Sequence, residues 1–388
     1  MNYLALRRQT LARTLKKDKD GVDAVLVTGP ANVTYLTGAS GEVGYFVAAA
    51  KAGVLVSDQR FEDQIKDENP DIGKGQEVDL HVRPHDQTTL EAAAEVLTKT
   101  GARAVGFEAN RLTVGDLEAL RGFAPKVTFV PLADLVEGMR AVKDPSEIEK
   151  IRESVRVAER AFKMFIATRE ESDTEREMVN ALEAYIRRAG AKTSSFPPIV
   201  AVGERGALPH APPTARQLGE VSKLLVDWGA DTGYKSDITR TVRSPFTTAP
   251  TRRNKFERVG YDLEEVYEVV LAAQNAALAA IRGGVKARDV DGAARKVITD
   301  AKLRSEPGAK LGDYFTHGLG HGIGLEIHEA PRIRANSDDV LEAGMVVTVE
   351  PGVYIPGWGG VRIEDDVLVT RDGCTLLTTL PRELSSAG

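Results

Sequence analysis

Four carboxylates stand where apolar strands ought to continue. Asp227 ends the run that begins at Leu224, Asp237 opens "DITRTV", Glu350 interrupts "MVVTVEPGV" and Glu364 interrupts "GVRIEDDVLV". An ionised carboxylate inside an apolar strand costs several kcal/mol unless a cation or strong donors compensate. A fold that accepts these strands therefore has to bring compensation with it, and metal is one form. Turn-forming residues, "ADTGYK" in one case and the Gly/Pro-rich "PGVYIPGWGG" in the other, separate the two members of each pair. The pattern predicts two β-hairpins, each carrying two acidic residues.

Between these hairpins lies "HGLGHGIGLEIHE", residues 317–329, which holds three of the six histidines on a glycine-spaced backbone. Glycine lets a main chain approach a ligand closely. One histidine from this loop joined to the four acids makes a set of two Asp, two Glu and one His. Four negative charges balance two divalent cations, and an oxygen-rich set with one imidazole suits Mn, Co or Zn. The single cysteine, Cys374, excludes an intramolecular disulfide and a CxxC site, so a metal must use His, Asp and Glu.

A chain of 388 residues exceeds what one hydrophobic core usually serves, and the pattern changes near residue 140. Before that point a helix from Leu4 to Leu15, strands in "GVDAVLV", "YFVAAAKAGVLVS" and "ARAVGFE", and a helix in "TLEAAAEVLTKTG" predict an α/β domain over 1–138. Asp144, Pro145 and Ser146 then suit the start of a long amphipathic helix, which places the boundary between Asp134 and Pro145. The second domain, 139–388, reads as α+β. It holds a helix over about Thr174–Ala189 stopped by Gly190, the loop "SSFPPIVAVGERGALPHAPPT", helices over about 255–303, and a final stretch of strands and Gly-rich loops.

Basic residues number 51 against 57 acidic ones and are dispersed, so no nucleic-acid footprint appears. No run approaches the roughly 18 apolar residues of a membrane span, nor the core of a signal peptide, and a cytoplasmic protein without membrane or nucleic-acid partners is expected. HExxH is absent because Arg332 stands where its second histidine would be, and neither GxSxG nor a Walker loop occurs. His81 and His85 read as surface or satisfied loop histidines, "RRQTLARTLKK" as a solvated helix face, Trp358 as either a pocket wall or a packing residue, and Cys374 as an inert thiol.

The ordered motifs "SDITRT", "HGLGHGIGLEIHE", "VEPGVY" and "GVRIED" resemble the methionine-aminopeptidase/prolidase family of metallopeptidases, M24, from about Lys143 to Thr370. The segment before them is similar to the creatinase-type N-terminal domain. The resemblance implies a pita-bread catalytic domain with a dinuclear site, most often supplied with Mn or Co, that hydrolyses the N-terminal peptide bond of a peptide. Carried over residue by residue, Asp227 would hold one metal, Asp237 and Glu364 would bridge the two, and His321 and Glu350 would complete the shell of the second metal. Glu350 would also accept the proton of the attacking water. His210 and His328 match imidazoles that face the scissile carbonyl, and His317 matches a pocket-wall residue. Arg362, two positions before Glu364 and so expected on the same strand face, would orient a metal carboxylate or the substrate. One departure stands out: between Asp227 and Asp237 the chain is one residue shorter than the family's usual "DxGAxxxGYxSD".

The implied activity is that of an Xaa-Pro dipeptidase (prolidase) or Xaa-Pro aminopeptidase acting on a proline-containing di- or oligopeptide, with a homodimer as the assembly. Turnover of Met-Ala-Ser but not of proline peptides would mark a methionine-aminopeptidase-like enzyme instead. Degenerate ligands would mark a non-catalytic peptide-binding module, and none of the five is degenerate.

Overall fold

The computed structural model describes residues 2–17, 21–49, 53–74, 78–246 and 260–384. The chain divides between Arg140 and Ala141 into two compact units. The first unit holds α1 (Tyr3–Lys17), β1 (Ala24–Val27), α2 (Pro30–Thr37), β2 (Tyr45–Ala49), β3 (Gly53–Ser57), α3 (Glu62–Glu68), β4 (Val78–Val82), α4 (Thr89–Thr100), β5 (Ala104–Glu108), α5 (Val114–Phe123) and β6 (Thr128–Leu132), with α6 (Leu135–Ala141) following. The strands form one mixed sheet in the order β4-β3-β2-β1-β5-β6. The run "YFVAAAKAGVLVS" is the antiparallel β2–β3 pair, and β5 lies parallel to β1. Ala92, Ala93 and Leu97 of α4 and Leu120 of α5 pack on Leu26, Val47, Val56 and Val105 of the sheet, the layered burial that alternating strands and helices predict.

Two sequence expectations fail here. The basic face of α1 is not simply solvated: Arg7 is buried, its guanidinium donates to Tyr35 O at 3.0 Å and lies over the Tyr35 ring, and Arg8 donates to Leu36 O at 2.8 Å. These carbonyls belong to the last turn of α2, where free carbonyls and the helix dipole favour cations. His81 is a strand residue of β4, half-buried, and among the described residues no partner reaches its Nε2. His85 is exposed in a turn, as expected.

The second unit opens with α7 (Pro145–Thr168) and α8 (Glu175–Arg188), each started by a capping box, Asp144 with Glu147 and Thr174 with Glu177. There follow β7 (Thr193–Ser194), β8 (Ile199–Val202), β9 (Lys223–Trp228), β10 (Ala230–Asp231), β11 (Ile238–Arg243), α9 (Leu263–Ala280) and α10 (Ala287–Asp300). The expected helical stretch thus resolves into α9 and α10, while 255–259 lie outside the described residues. The last strands are β12 (Gly320–Gly322), β13 (Glu329–Ile333), β14 (Val346–Val349), β15 (Gly352–Ile355), β16 (Gly359–Arg362), β17 (Asp365–Val369) and β18 (Cys374–Leu376). The strands of this unit build sheets in the orders β11-β9-β8 and β13-β12-β14-β17-β18, with β15 paired to β16 and β10 to β7 separately. Cys374 is a free, partly buried thiol on β18.

Every residue of β9 is buried, yet its two faces differ. Leu224, Val226 and Trp228 join Val155 and Phe162 of α7 and Leu182 of α8 in one core. Leu225 points the other way, onto Ile199, Ala201 and Ala211, and Asp227 opens on the same side into a cavity. The two-residue period of a strand is what aims the carboxylate away from the helices. Trp228 anchors this arrangement, stacked on Phe162 with centroids 4.1 Å apart and donating Nε1–H to Ala158 O at 2.9 Å. Trp228→Ala is expected to lower unfolding free energy by about 3–5 kcal/mol, read from the denaturant midpoint. A loss below about 1 kcal/mol would refute the anchoring role.

Candidate metal centre

Asp227 and Asp237 come from the first hairpin. Asp227 lies opposite Thr239, and Asp237 immediately precedes β11. The shortened turn between them closes without disturbing this register. Gly233 takes a φ of 108°, its N–H donates to Asp231 Oδ1 at 2.8 Å, and Lys235 Nζ meets Asp231 Oδ2 at 2.5 Å. Glu350 and Glu364 come from the second hairpin, which is folded in two: β14 pairs with β17, whereas β15 pairs with β16. Each glutamate sits where the chain passes from one pair into the other. A bridge between Thr239 and Glu364 then joins the two hairpins.

Arg362 and Glu364 therefore do not share a strand, contrary to the sequence expectation, because the strand breaks at Ile363. Both side chains nevertheless line the same cavity, of about 830 Å³, together with Asp227, Asp237, His321 and Glu350. His210, His317 and His328 line it too, and Phe196, Pro197, Pro198 and Pro209 give it an apolar wall. Trp358 does not. It is 3% exposed, donates to Tyr261 O and packs against Lys223, so packing is its role.

Asp237, His321 and Glu364 offer ligand atoms that all lie within 4.8 Å of one another. His321 Nε2 stands 3.6 Å from Asp237 Oδ2 and 3.5 Å from Glu350 Oε1. Its Nδ1 lies 3.1 Å from Gly322 O, a contact that holds the proton on Nδ1 and leaves the Nε2 lone pair facing the carboxylates. Burial, then the nearby His328, pushes the His321 pKa down to about 3, so the ring is neutral as a ligand must be. The rings of His321 and His328 meet edge to face at 4.4 Å.

The acids are poorly compensated by protein. Arg362 donates from Nη2 to Asp227 Oδ2 at 2.5 Å, Thr239 Oγ1 donates to Glu364 Oε2 at 2.6 Å, and no donor among the described residues reaches buried Asp227 Oδ1. Burial, followed by Glu364, Asp227 and Glu350, holds the Asp237 pKa well above its ordinary value. Burial, then Glu350 and Asp227, does the same for Glu364, and burial raises Glu350 to about 8. Four carboxylates with one guanidinium, a neutral imidazole aimed inward and an unpartnered oxygen fit divalent cations, which would supply the missing positive charge.

A consequence for stability follows. Acids whose pKa is raised in the folded state bind more protons folded than unfolded, so their contribution is fully present near pH 4 and is lost as pH rises towards 8. Metal-stripped protein should lose about 5 °C or more of melting temperature between pH 5 and pH 8, and added Mn should abolish most of that slope. Equal slopes with and without Mn would contradict the site's charge balance.

Two participants have only a faint sequence signal. Tyr354 Oη accepts from Arg362 Nη1 at 2.8 Å and meets His317 Nε2 at 2.8 Å, so His317, Tyr354, Arg362 and Asp227 form a continuous chain. Thr239 accepts from Arg362 Nε at 3.0 Å while donating to Glu364. The sequence cue for both is position alone: Thr239 lies two residues after Asp237, and Tyr354 four after Glu350.

Comparison with known proteins places these features in a lineage. The model of metallopeptidase family M24 matches residues 149–371, and that of the creatinase/prolidase N-terminal domain matches 7–142. An Xaa-Pro dipeptidase of Pyrococcus horikoshii is 34% identical over 370 residues, covering 95% of each chain. Among solved structures, an Xaa-Pro dipeptidase from Bacillus anthracis matches with a TM-score of 0.84 and 34% identity, over 98% of this chain and 99% of that one. An X-Pro aminopeptidase from Thermotoga maritima MSB8 matches with a TM-score of 0.82 and 30% identity, over 97% and 99%.

Proposed function

The chain belongs to metallopeptidase family M24, a creatinase-type N-terminal domain followed by a pita-bread catalytic domain, and from that premise we propose a metal-dependent exopeptidase that hydrolyses Xaa-Pro bonds. A dipeptidase is the first reading and an aminopeptidase the second. The observation that carries it is the convergence of Asp227, Asp237, His321, Glu350 and Glu364 on one cavity that is also lined by Phe196, Pro197, Pro198 and Pro209. The apolar Phe196 and proline part of that lining suits the proline ring, and a proline amide, which lacks N–H and has a fixed φ, needs a dedicated pocket.

In this reading Asp227, Asp237, Glu350, Glu364 and His321 hold two divalent ions, with Mn preferred and Co or Zn as alternatives. Such ions supply water acidified to near neutrality and a polarised carbonyl oxygen. Glu350 takes the proton of the attacking water and passes it to the proline nitrogen. His328 and His210 face the scissile carbonyl and steady the charge that develops there. Arg362 keeps Asp227 Oδ2 occupied, leaving Oδ1 for a cation. The family resemblance carries a homodimer with it, checked by light scattering. Among the described residues no helix is long and apolar enough to cross a membrane.

Peptide length separates the two readings. Metal-stripped enzyme reloaded with Mn should cleave Ala-Pro at least about tenfold faster than Ala-Pro-Ala if it is a dipeptidase. Faster cleavage of the tripeptide would make it an aminopeptidase, and cleavage of neither would remove the Xaa-Pro reading.

A further inference from the structure

The imidazole of His210 rides on a proline-rich loop, and one carboxylate outside the cavity closes that loop. Glu175, the first residue of α8, is fully buried. Its Oε1 accepts from Val202 N at 3.0 Å, at the end of β8 where the loop begins. Its Oε2 accepts from Thr214 N at 2.8 Å and Thr214 Oγ1 at 2.6 Å, where the loop ends. From inside the loop Arg205 Nε reaches both oxygens, at 2.9 and 2.8 Å, and the same guanidinium continues to Pro212 O. The backbone completes the seam, with Glu175 N donating to Arg216 O and Arg176 N to Thr214 O. Between the tied ends lie Pro209, His210, Ala211, Pro212 and Pro213, all of which line the cavity. The middle of the loop is pressed onto β16: a Cβ on Gly206 would stand 3.0 Å from Gly360 N, and one on Gly360 would stand 2.0 Å from Gly206 O.

The geometry points to Glu175 as a positioning residue, a latch that sets His210 and the proline wall against the metal-binding face. This rests on the peptidase reading above. A buried carboxylate serving four donors is a rigid clamp, because dropping them breaks several hydrogen bonds at once and leaves the buried Val202 N unsatisfied. Glu175 itself does not line the cavity, so its effect on turnover has to pass through the loop.

The test uses Glu175→Gln, which keeps the shape but turns one acceptor oxygen into a donor, and Thr214→Val, which removes one donor and leaves Glu175 paired with Arg205. Each is made alone and in a His210→Ala background, and Ala-Pro hydrolysis is followed in the Mn-loaded enzyme. Limited trypsin digestion of the same proteins without peptide reads cleavage after Arg205 by mass spectrometry. Glu175→Gln should lower kcat/KM by about 10- to 100-fold, as a distant change does when it displaces a reacting group, and Thr214→Val by less. In the His210→Ala background either change should add less than about twofold, since residues acting through one another are not additive. Arg205 should be cut first in the variants and protected in the parent.

Full additivity with His210→Ala, or an unchanged digestion pattern, overturns the latch. If Glu175→Gln does not fold, the same two readouts on Thr214→Val decide the matter. A parent enzyme inert on both Ala-Pro and Ala-Pro-Ala would sink the peptidase reading, while the trypsin pattern would still settle whether Glu175 holds the loop.

Discussion

Asp237→Asn is expected to cut Ala-Pro turnover by at least about 1,000-fold, because loss even of a ligand's outer partner costs roughly 10- to 100-fold and Asp237 is proposed as a direct metal ligand. The carboxylate offers a ligand atom within 4.8 Å of those of His321 and Glu364. The same substitution carries an opposite expectation for the metal-free fold. Burial and four neighbouring acids disfavour the charge on Asp237, so a neutral amide should leave the stripped protein at least as stable as its parent at pH 8. Loss of metal and activity without loss of stability is the signature of a site residue. Metal analysis, steady-state kinetics and thermal melting on one preparation read all three. An Asn variant with parental metal content and turnover would refute the ligand assignment.

Glu350→Gln should lower kcat by about 100- to 10,000-fold at saturating Mn, the range that a positioned proton-transfer group contributes. Glutamine preserves the size of the side chain and can still accept from Thr348 Oγ1, which stands 3.4 Å from Glu350 Oε1, but it cannot take a proton. KM should therefore change little compared with kcat, the pattern of an interaction made in the transition state. The measurement is kcat across pH with metal content verified at each point. Parental kcat with both metals bound would remove Glu350 from the proton route and leave it as a ligand only.

What was legible in the sequence had a local energetic cause. A carboxylate inside an apolar run announces a cost that some partner must offset, and Asp227, Asp237, Glu350 and Glu364 were all visible on that ground. The glycines of 317–329 announced close backbone approach, and in the structure a Cβ on Gly320 or Gly322 would stand about 2 Å from a carbonyl oxygen across the sheet. What was not legible depends on pairings between distant segments. Thr239 meets Glu364 across 125 residues, and no local pattern encodes that bridge. The break at Ile363 puts Arg362 and Glu364 in different strand pairs, so their common orientation came from the crossing of two pairs and not from one strand's alternation. Trp358 sits in a Gly-rich turn that read equally well as pocket or packing, and the pairing with Tyr261 and Lys223 that decides it joins three remote segments. Arg7 looked like part of a solvated basic face because its partners are backbone carbonyls of α2, which leave no trace in residue type.

On the proposed reading, two divalent ions held by Asp227, Asp237, His321, Glu350 and Glu364 would drive cleavage before proline. The most direct test strips the enzyme with chelator, returns Mn in measured equivalents, and follows Ala-Pro hydrolysis beside Met-Ala-Ser. Turnover should be absent in the stripped protein, rise to saturation at about two Mn per chain, and be confined to Ala-Pro. Full activity after exhaustive chelation, or turnover confined to Met-Ala-Ser, would contradict it.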